Sequence, residues 1–168
     1  MLFIVFFICS IQVYGVEPGF ALNFDGINSY GTLGEILKNT KSISFWIKPN
    51  QDINTLSSAQ AILMRDNNAK STFGEGETGM FFEGAGNVDA GKLIFRCSSS
   101  LQEFSIASNQ NHWSNDVWYH ITVVIHPVNG LMMFVNGVQQ SETETQVTSI
   151  YIRTEGPTGT LFLAKMGP

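Results

Sequence analysis

The feature that most constrains the fold is a pair of apolar runs joined by an Asn-Gly turn, within residues 118–138. Both runs are rich in β-branched and aromatic side chains. Asn129 and Gly130 separate the runs, and Asn136 and Gly137 follow the second one. Because Asn and Gly tolerate positive φ, an Asn-Gly pair beside such runs is a strong hairpin signal. The sequence therefore predicts antiparallel β-structure.

Alternation with a period of two recurs along the chain, and no segment has a convincing helical period. It is clearest at residues 42–49, where Ile43, Phe45 and Ile47 fall on one face and Trp46 on the other. Ten strands are predicted, at residues 20–24, 30–33, 42–49, 61–65, 80–83, 92–97, 104–107, 118–126, 131–136 and 161–164. Short strands separated by turn signals indicate an all-β antiparallel sandwich or barrel. Residues 35–38 could form one helical turn.

The first fifteen residues differ from the rest of the chain. Residues 1–8 form an unbroken apolar run, and compact residues precede a possible cleavage point after Gly15. This pattern predicts a signal peptide at residues 1–15 and a secreted, extracellular protein, although no Lys or Arg precedes the run. The alternative is that residues 2–8 form a buried first strand. The length of residues 16–168 suits one domain.

Charge and cysteine content narrow the possible partners. The net charge is −5 at pH 7 and the nine Lys and Arg residues are scattered, which argues against nucleic-acid binding. Apolar runs are shorter than the roughly 20 residues of a membrane span, so none is predicted. Cys9 falls in the predicted signal peptide. Cys97 follows an apolar run and is expected to be a buried thiol, although it could pair with another chain.

Taken in order, the strand blocks resemble laminin-G-like domains of the concanavalin A-like jelly-roll superfamily. The blocks are residues 21–26, 29–31, 42–49, 61–66, 91–95, 118–124, 133–138 and 161–164. The resemblance covers residues 20–167. It implies a jelly-roll sandwich that acts as an extracellular binding or adhesion module for a glycan or another protein. Family members usually continue into a final Asp-containing strand beside the N-terminal one, so we expect that strand to be missing and the chain to be part of a longer protein.

Catalysis is disfavoured by the placement of carboxylates. Related jelly-roll glucanases carry a Glu-x-Asp-x-x-Glu arrangement, which places acid and nucleophile on one strand face. This spacing is absent here. The close carboxylate pairs, Glu75 with Glu77 and Glu142 with Glu144, lie in polar, turn-rich segments. We therefore expect no enzymatic activity. The alternatives are a glycoside-processing enzyme on the same fold and a purely structural spacer within a larger surface protein.

The resemblance also implies a possible Ca²⁺ site, because laminin-G-like domains often bind one calcium ion. Calcium prefers carboxylate, amide and backbone oxygens. Asp25 with Asn28 in the first turn is the first candidate position, and Asp66 is the second. The alternative is that Asp25 and Asn28 bond to their own backbone within a turn.

Glycan binding would require exposed aromatic side chains. Trp113 lies in a polar segment, Phe73 lies in an irregular one, and Trp46 has the opposite parity to the Ile43 face. These three residues are the predicted ligand-binding residues, and packing beneath a loop is the alternative for each. Trp118, at the start of a strand, is expected instead to close one end of the sandwich with its large apolar area.

Overall fold

The computed structural model describes residues 2–6, 21–25, 29–34, 40–65, 78–98, 103–126, 129–140 and 161–163. Within these ranges the chain forms twelve strands and one 3-10 helix (Ile53–Thr55). The strands are β1 (Leu2–Phe6), β2 (Leu22–Phe24), β3 (Gly31–Gly34), β4 (Ser42–Pro49), β5 (Gln60–Arg65), β6 (Thr78–Phe82), β7 (Leu93–Ser98), β8 (Glu103–Ala107), β9 (Tyr119–His126), β10 (Gly130–Val135), β11 (Val138–Gln139) and β12 (Leu161–Leu163). All ten predicted strands overlap an observed one, which confirms the all-β prediction. Residues 35–38 lie outside the described ranges.

The described strands form two six-stranded antiparallel sheets. Sheet A has the order β11-β10-β9-β4-β1-β2, and sheet B has the order β3-β12-β5-β6-β7-β8. Strands β5 to β8 follow one another as neighbours in sheet B, and β9 to β11 do so in sheet A. These strands therefore pair with their neighbours in the chain. The first four strands are instead divided between the sheets, with β1, β2 and β4 in sheet A and β3 in sheet B.

Among the described residues, the larger of two apolar clusters forms the core between the sheets, as in a β-sandwich, and Phe81, Ile94 and Ala107 form the smaller one. In β4 the buried residues alternate with less buried ones, and β9 repeats this pattern. The fully buried large side chains come from both sheets and include Phe45, Ile47, Ile62, Met80, Phe82, Leu93, Phe95, Ile106 and Ile121. Cys97 is also buried in this core, as predicted. Because β4 and β9 each bury one face, their alternate residues face away from the core.

The second Asn-Gly pair forms the turn that joins β10 to β11. Asn136 has φ 51° and Gly137 has φ 79°, so both adopt the positive φ that was predicted. The Asn136 side-chain oxygen accepts a hydrogen bond from the His120 backbone N–H at 2.8 Å. The Asn136 N–H donates to the His120 carbonyl oxygen at the same distance. The turn therefore also fixes the start of β9.

Strand β1 lies inside sheet A, between β2 and β4. It pairs with β4 over residues 2–6 and with β2 over residues 2–4. This position corresponds to the alternative of a first strand. Removal of residues 1–15 concerns processing of the chain, so it stays a prediction, as does a missing final strand. No helix among the described residues is long and apolar enough to cross a membrane.

Candidate functional site

Trp113, a predicted ligand-binding residue, lies in the core between the sheets. Its side chain is only 1% exposed. The indole Nε1–H donates to the Gly91 carbonyl oxygen at 2.9 Å. The ring meets Phe82 and Tyr119 edge-on, with centroid distances of 5.1 and 4.9 Å. Trp113 therefore corresponds to the alternative of packing beneath a loop, and it offers no surface to a ligand.

Trp46 has the opposite environment, since it lies on the outer face of sheet A with 39% of its surface exposed. It is in register with His120 of β9. The two ring centroids are 4.9 Å apart and the ring planes are tilted by 34°. The indole therefore rests against an imidazole ring while part of its surface stays open to solvent.

Two hydroxyl groups adjoin this ring pair. Ser44 Oγ lies 2.8 Å from His120 Nε2 and 3.2 Å from Thr122 Oγ1. Ser44 and Thr122 are direct cross-strand partners, next to the Trp46–His120 pair. Phe134 of β10 is the partner of Thr122 on the other side and is half-buried. The site thus combines an exposed aromatic ring with hydrogen-bonding groups on paired strands.

A charged pair lies at the other end of this surface. Lys48 Nζ is 3.4 Å from Asp116 Oδ1 and 5.8 Å from the centre of the Trp118 ring. Trp118 is 39% exposed, so the expectation that it closes one end of the core is wrong. The cause is strand parity: Tyr119 faces the core, so its neighbour Trp118 faces outward.

We name this surface the outer platform and define it by seven residues, Ser44, Trp46, Lys48, Asp116, Trp118, His120 and Thr122. Most of its side chains lie on the two neighbouring strands β4 and β9, whose backbones are paired from Ser42 to Ile47. Hydrogen bonds to Asn136 hold the backbone of His120 from the opposite side. The platform is therefore preorganised on a sheet rather than carried by a loop.

Sequence reasoning named Trp46 but missed the other platform residues. The shared parity of Trp118 and His120 along one strand was visible in the sequence. The register that places Trp46 beside His120 was not, because pairing between distant strands depends on the whole sheet. Phe73, the third predicted ligand-binding residue, lies outside the described residues.

Of the predicted calcium ligands, only Asp25 lies within the described residues. Its side chain is exposed, and Oδ1 accepts a hydrogen bond from the Ser29 backbone N–H at 2.9 Å. This contact corresponds to the alternative in which Asp25 bonds to the backbone of its own turn. Asn28 and Asp66 fall outside the described residues. Among the residues that are described, no group of three His, Cys, Asp or Glu side chains could hold a metal ion.

The outer face of sheet B carries a depression of about 200 Å³. Its lining includes Glu83, Asp89 and Arg96. The Glu83 side chain accepts hydrogen bonds from the Gly84 N–H and from the Asn87 amide, at 3.0 and 2.8 Å. Asp89 pairs with Lys92 at 3.0 Å. These carboxylates hold the loop between β6 and β7, so the outer platform is the better candidate site.

Comparison with known proteins agrees with this architecture. The family model Laminin_G_3, described as the concanavalin A-like lectin/glucanases superfamily, matches residues 25–164. The chain belongs to this family. The laminin-G-like resemblance inferred from the ordered strand blocks is thereby confirmed. No curated protein matches the chain.

Two solved structures resemble this laminin-G-like chain. One was described under "Cell entry of botulinum neurotoxin type C is dependent upon interaction with two ganglioside molecules"; it is 20% identical, with a TM-score of 0.46, over 73% of this chain and 26% of that one. The other is the binding domain of Paraclostridial Mosquitocidal Protein 1, 14% identical, with a TM-score of 0.44, over 86% of this chain and 35% of that one. The chain therefore spans about a quarter to a third of the length of these proteins.

Proposed function

We propose that this laminin-G-like chain is an extracellular, non-catalytic binding module, and that its outer platform binds a neutral glycan. The observation that carries the proposal is the exposed Trp46 ring, held against His120 beside the hydroxyl groups of Ser44 and Thr122. Ligand sites commonly combine apolar or aromatic surface with a few fixed polar groups.

The chemistry of the platform fits a sugar ring. A pyranose has an apolar C–H face, which can stack on the open part of the indole and remove both from water. Its hydroxyl groups both donate and accept hydrogen bonds, as do those of Ser44 and Thr122. The imidazole of His120, next to Ser44, adds a third polar partner. Stacking would supply affinity and these polar groups would supply orientation.

A neutral glycan fits the charges better than an anionic one. Lys48 is already paired with Asp116 at 3.4 Å, so the platform carries no excess positive charge from this pair. The chain as a whole has a net charge of −5, which repels polyanions at long range. A neutral, hydroxyl-rich ligand needs no excess positive charge on the platform and is not repelled by the net negative charge of the chain.

The platform supports binding without hydrolysis. Most glycoside hydrolases use two carboxyl groups on either side of the scissile bond, about 5 to 9.5 Å apart. Among the seven platform residues only Asp116 is a carboxylate, and it is paired with Lys48. A bound glycan would therefore meet no acid–nucleophile pair on this surface.

The test is a titration after a screen of immobilised neutral oligosaccharides. Trp46→Ala should weaken binding of the strongest screened oligosaccharide at least about tenfold, because tenfold corresponds to only 1.4 kcal/mol. Trp46→Phe should retain part of the affinity. The matched control is Tyr30→Ala, which removes an exposed aromatic side chain next to β3 of sheet B and should leave binding unchanged.

Three outcomes would contradict the proposal. Equal affinity of Trp46→Ala and the unaltered chain would remove the platform as the site. Release of shorter sugars from the bound oligosaccharide would favour the glycoside-processing alternative. Failure to bind any neutral oligosaccharide would favour a spacer or a module that binds another protein.

A further inference from the structure

Two neighbouring rows of the outer platform each contain an exposed tryptophan. In the first row, Trp46 of β4 lies beside His120 of β9. In the second row, Lys48 is two residues further along β4, and its Nζ lies 5.8 Å from the centre of the Trp118 ring. Each indole is 39% exposed. Residues two apart on a strand share a face and are about 7 Å apart. The second row therefore repeats the first one step further along the strands.

Polar groups accompany the Trp118 ring, as hydroxyl groups accompany the Trp46 ring. Lys48 Nζ is 3.4 Å from Asp116 Oδ1, and the Asp116 side chain is 74% exposed. An ammonium group has three donors and a carboxylate has several acceptor positions. The pair can therefore stay intact while it donates to one ligand hydroxyl group and accepts from another. The second row thus offers a ring, a donor and an acceptor.

The turn before β9 holds Trp118 in place. Asp116 has φ 60°, a left-handed conformation that is uncommon for a residue with a Cβ atom. Its N–H donates to the Pro49 carbonyl oxygen at the end of β4, at 2.7 Å. The Ser114 N–H donates to the Tyr119 hydroxyl oxygen at 2.9 Å. Such a backbone conformation persists only where surrounding contacts enforce it, and it is concentrated at ligand sites. The second ring is therefore fixed relative to both strands.

We propose that the outer platform holds two consecutive sugar units, one on Trp46 and one on Trp118. Its ligand is then a linear chain of neutral sugars rather than a single terminal sugar. This inference rests on the proposed glycan function. The sugar chain runs along β4 and β9, because the two rows are displaced along these strands. Each unit of such a chain offers an apolar face and hydroxyl groups, so both rows meet a matching partner.

The first test compares ligands of increasing length. The strongest oligosaccharide of the neutral screen is titrated beside its shorter forms, down to the single sugar. For the unaltered chain, affinity should rise at least about tenfold from the single sugar to the longer chain. Trp118→Ala should abolish this rise, because one unit loses its stacking partner, and Trp118→Phe should retain part of it. Tyr30→Ala removes an exposed aromatic side chain next to sheet B and should leave the length dependence unchanged.

A second measurement locates each sugar unit by fluorescence. The chain has three tryptophans, and Trp113 is buried. Trp46→Phe therefore leaves Trp118 as the exposed indole, and Trp118→Phe leaves Trp46. Saturating oligosaccharide should reduce acrylamide quenching of the exposed indole at least about twofold in both variants, because a stacked sugar removes the ring face from water. The single sugar should protect less in at least one of them.

The outcomes separate this inference from the proposed function. Protection of Trp46 alone, or a Trp118→Ala variant that keeps the length dependence, would overturn the second sugar unit and leave the glycan function standing. Protection of Trp118 alone would overturn the arrangement of two units and remove Trp46 as the site. Oligosaccharide binding that protects neither ring would contradict both proposals, since the ligand would then lie away from the platform.

Discussion

At the scale of single residues, Trp113 and Trp118 show how the fold assigns different roles to similar side chains. Trp118 comes just before β9, whose odd-numbered residues Tyr119 and Ile121 face the core, so Trp118 faces solvent. Trp113 lies in the connection before β9 and fills the end of the core, with its N–H bonded to the Gly91 carbonyl oxygen. The Trp113 ring therefore packs in the core, and the Trp118 ring lies on the surface.

This difference leads to a prediction for Trp113. Trp113→Ala should lower the free energy of unfolding by about 3–5 kcal/mol, as for other buried aromatic truncations. Trp113→Phe should cost less, because it keeps an aromatic ring and loses chiefly the hydrogen bond to Gly91. Urea denaturation measures both changes.

Binding measurements on the same Trp113→Phe variant separate packing from recognition. If the outer platform is the glycan site, a folded Trp113→Phe chain should bind the screened oligosaccharide like the unaltered chain. A clear loss of affinity with little loss of stability would return Trp113 to the ligand-binding residues, as the sequence first indicated.

Residue chemistry alone could not have separated these two tryptophans. The polar segment around Trp113 is typical of an exposed loop, and the loop does run along the surface while this one side chain turns inward. Strand parity did predict that Trp46 lies opposite to Ile43, Phe45 and Ile47. Which of the two faces is buried depends on the second sheet, and that contact is made by residues distant in sequence.

At the scale of strands and turns, positive φ is used at two glycines with very different surroundings. Gly137 closes the turn between β10 and β11 with φ 79°, and a Cβ atom there would meet nothing within 4 Å. Gly91 precedes β7 with φ 78°, and a Cβ atom there would collide with the Asn111 carbonyl oxygen and the Asn54 side-chain oxygen. Both glycines need positive φ, so comparing the two positions separates the cost of packing from the cost of backbone conformation.

Alanine substitutions at these glycines should therefore differ in cost. Gly137→Ala should lower the free energy of unfolding by about 1 kcal/mol, the cost of a left-handed conformation for a residue with a Cβ atom. Gly91→Ala should cost about 3 kcal/mol or more, because the same strain is joined by overpacking. Parallel urea denaturation of the two variants measures the difference. Similar losses would show that the loop around Asn111 yields without cost.

The strands themselves were predictable because each one carries its own pattern. Ser42–Pro49 matches its predicted bounds, since Pro49 ends the alternation and cannot donate a backbone hydrogen bond. The positions of the strands within the sheets were not predictable in the same way. Ile47 is in register with Tyr119, and that contact joins residues distant in the chain. The outer platform exists only through this long-range register, which explains why the sequence showed one of its residues and not the set.

At the scale of the whole molecule, the order of the strand blocks in the sequence identified the fold, which no single block could do. Each block is a short apolar run, and only their order identified the laminin-G-like architecture that the family match confirms. The place of residues 2–6 is the exception, because the apolar run that predicts a signal peptide also fits an interior strand. Local composition is the same in both cases, so the removal of residues 1–15 stays a prediction.

Calcium binding is predicted from the resemblance, and because it would require the folded chain, thermal melting can test it. A ligand that binds only the folded state stabilises it by about 2.7 kcal/mol at 100 times its Kd. For a domain of this size that corresponds to a rise in melting temperature of about 5–10 °C. Millimolar Ca²⁺ should therefore raise the melting temperature relative to a chelator, and Asp25→Ala should abolish the rise.

The control for this experiment follows from the contact that Asp25 makes. Its Oδ1 accepts the Ser29 N–H at 2.9 Å, so Asp25→Ala should cost some stability even in chelator. Asp25→Asn keeps an oxygen that can accept this bond but removes the negative charge that favours calcium. A calcium-dependent rise that survives Asp25→Asn and Asp25→Ala would place the ion elsewhere. Equal melting temperatures in Ca²⁺ and chelator for the unaltered chain would leave Asp25 as a turn residue alone.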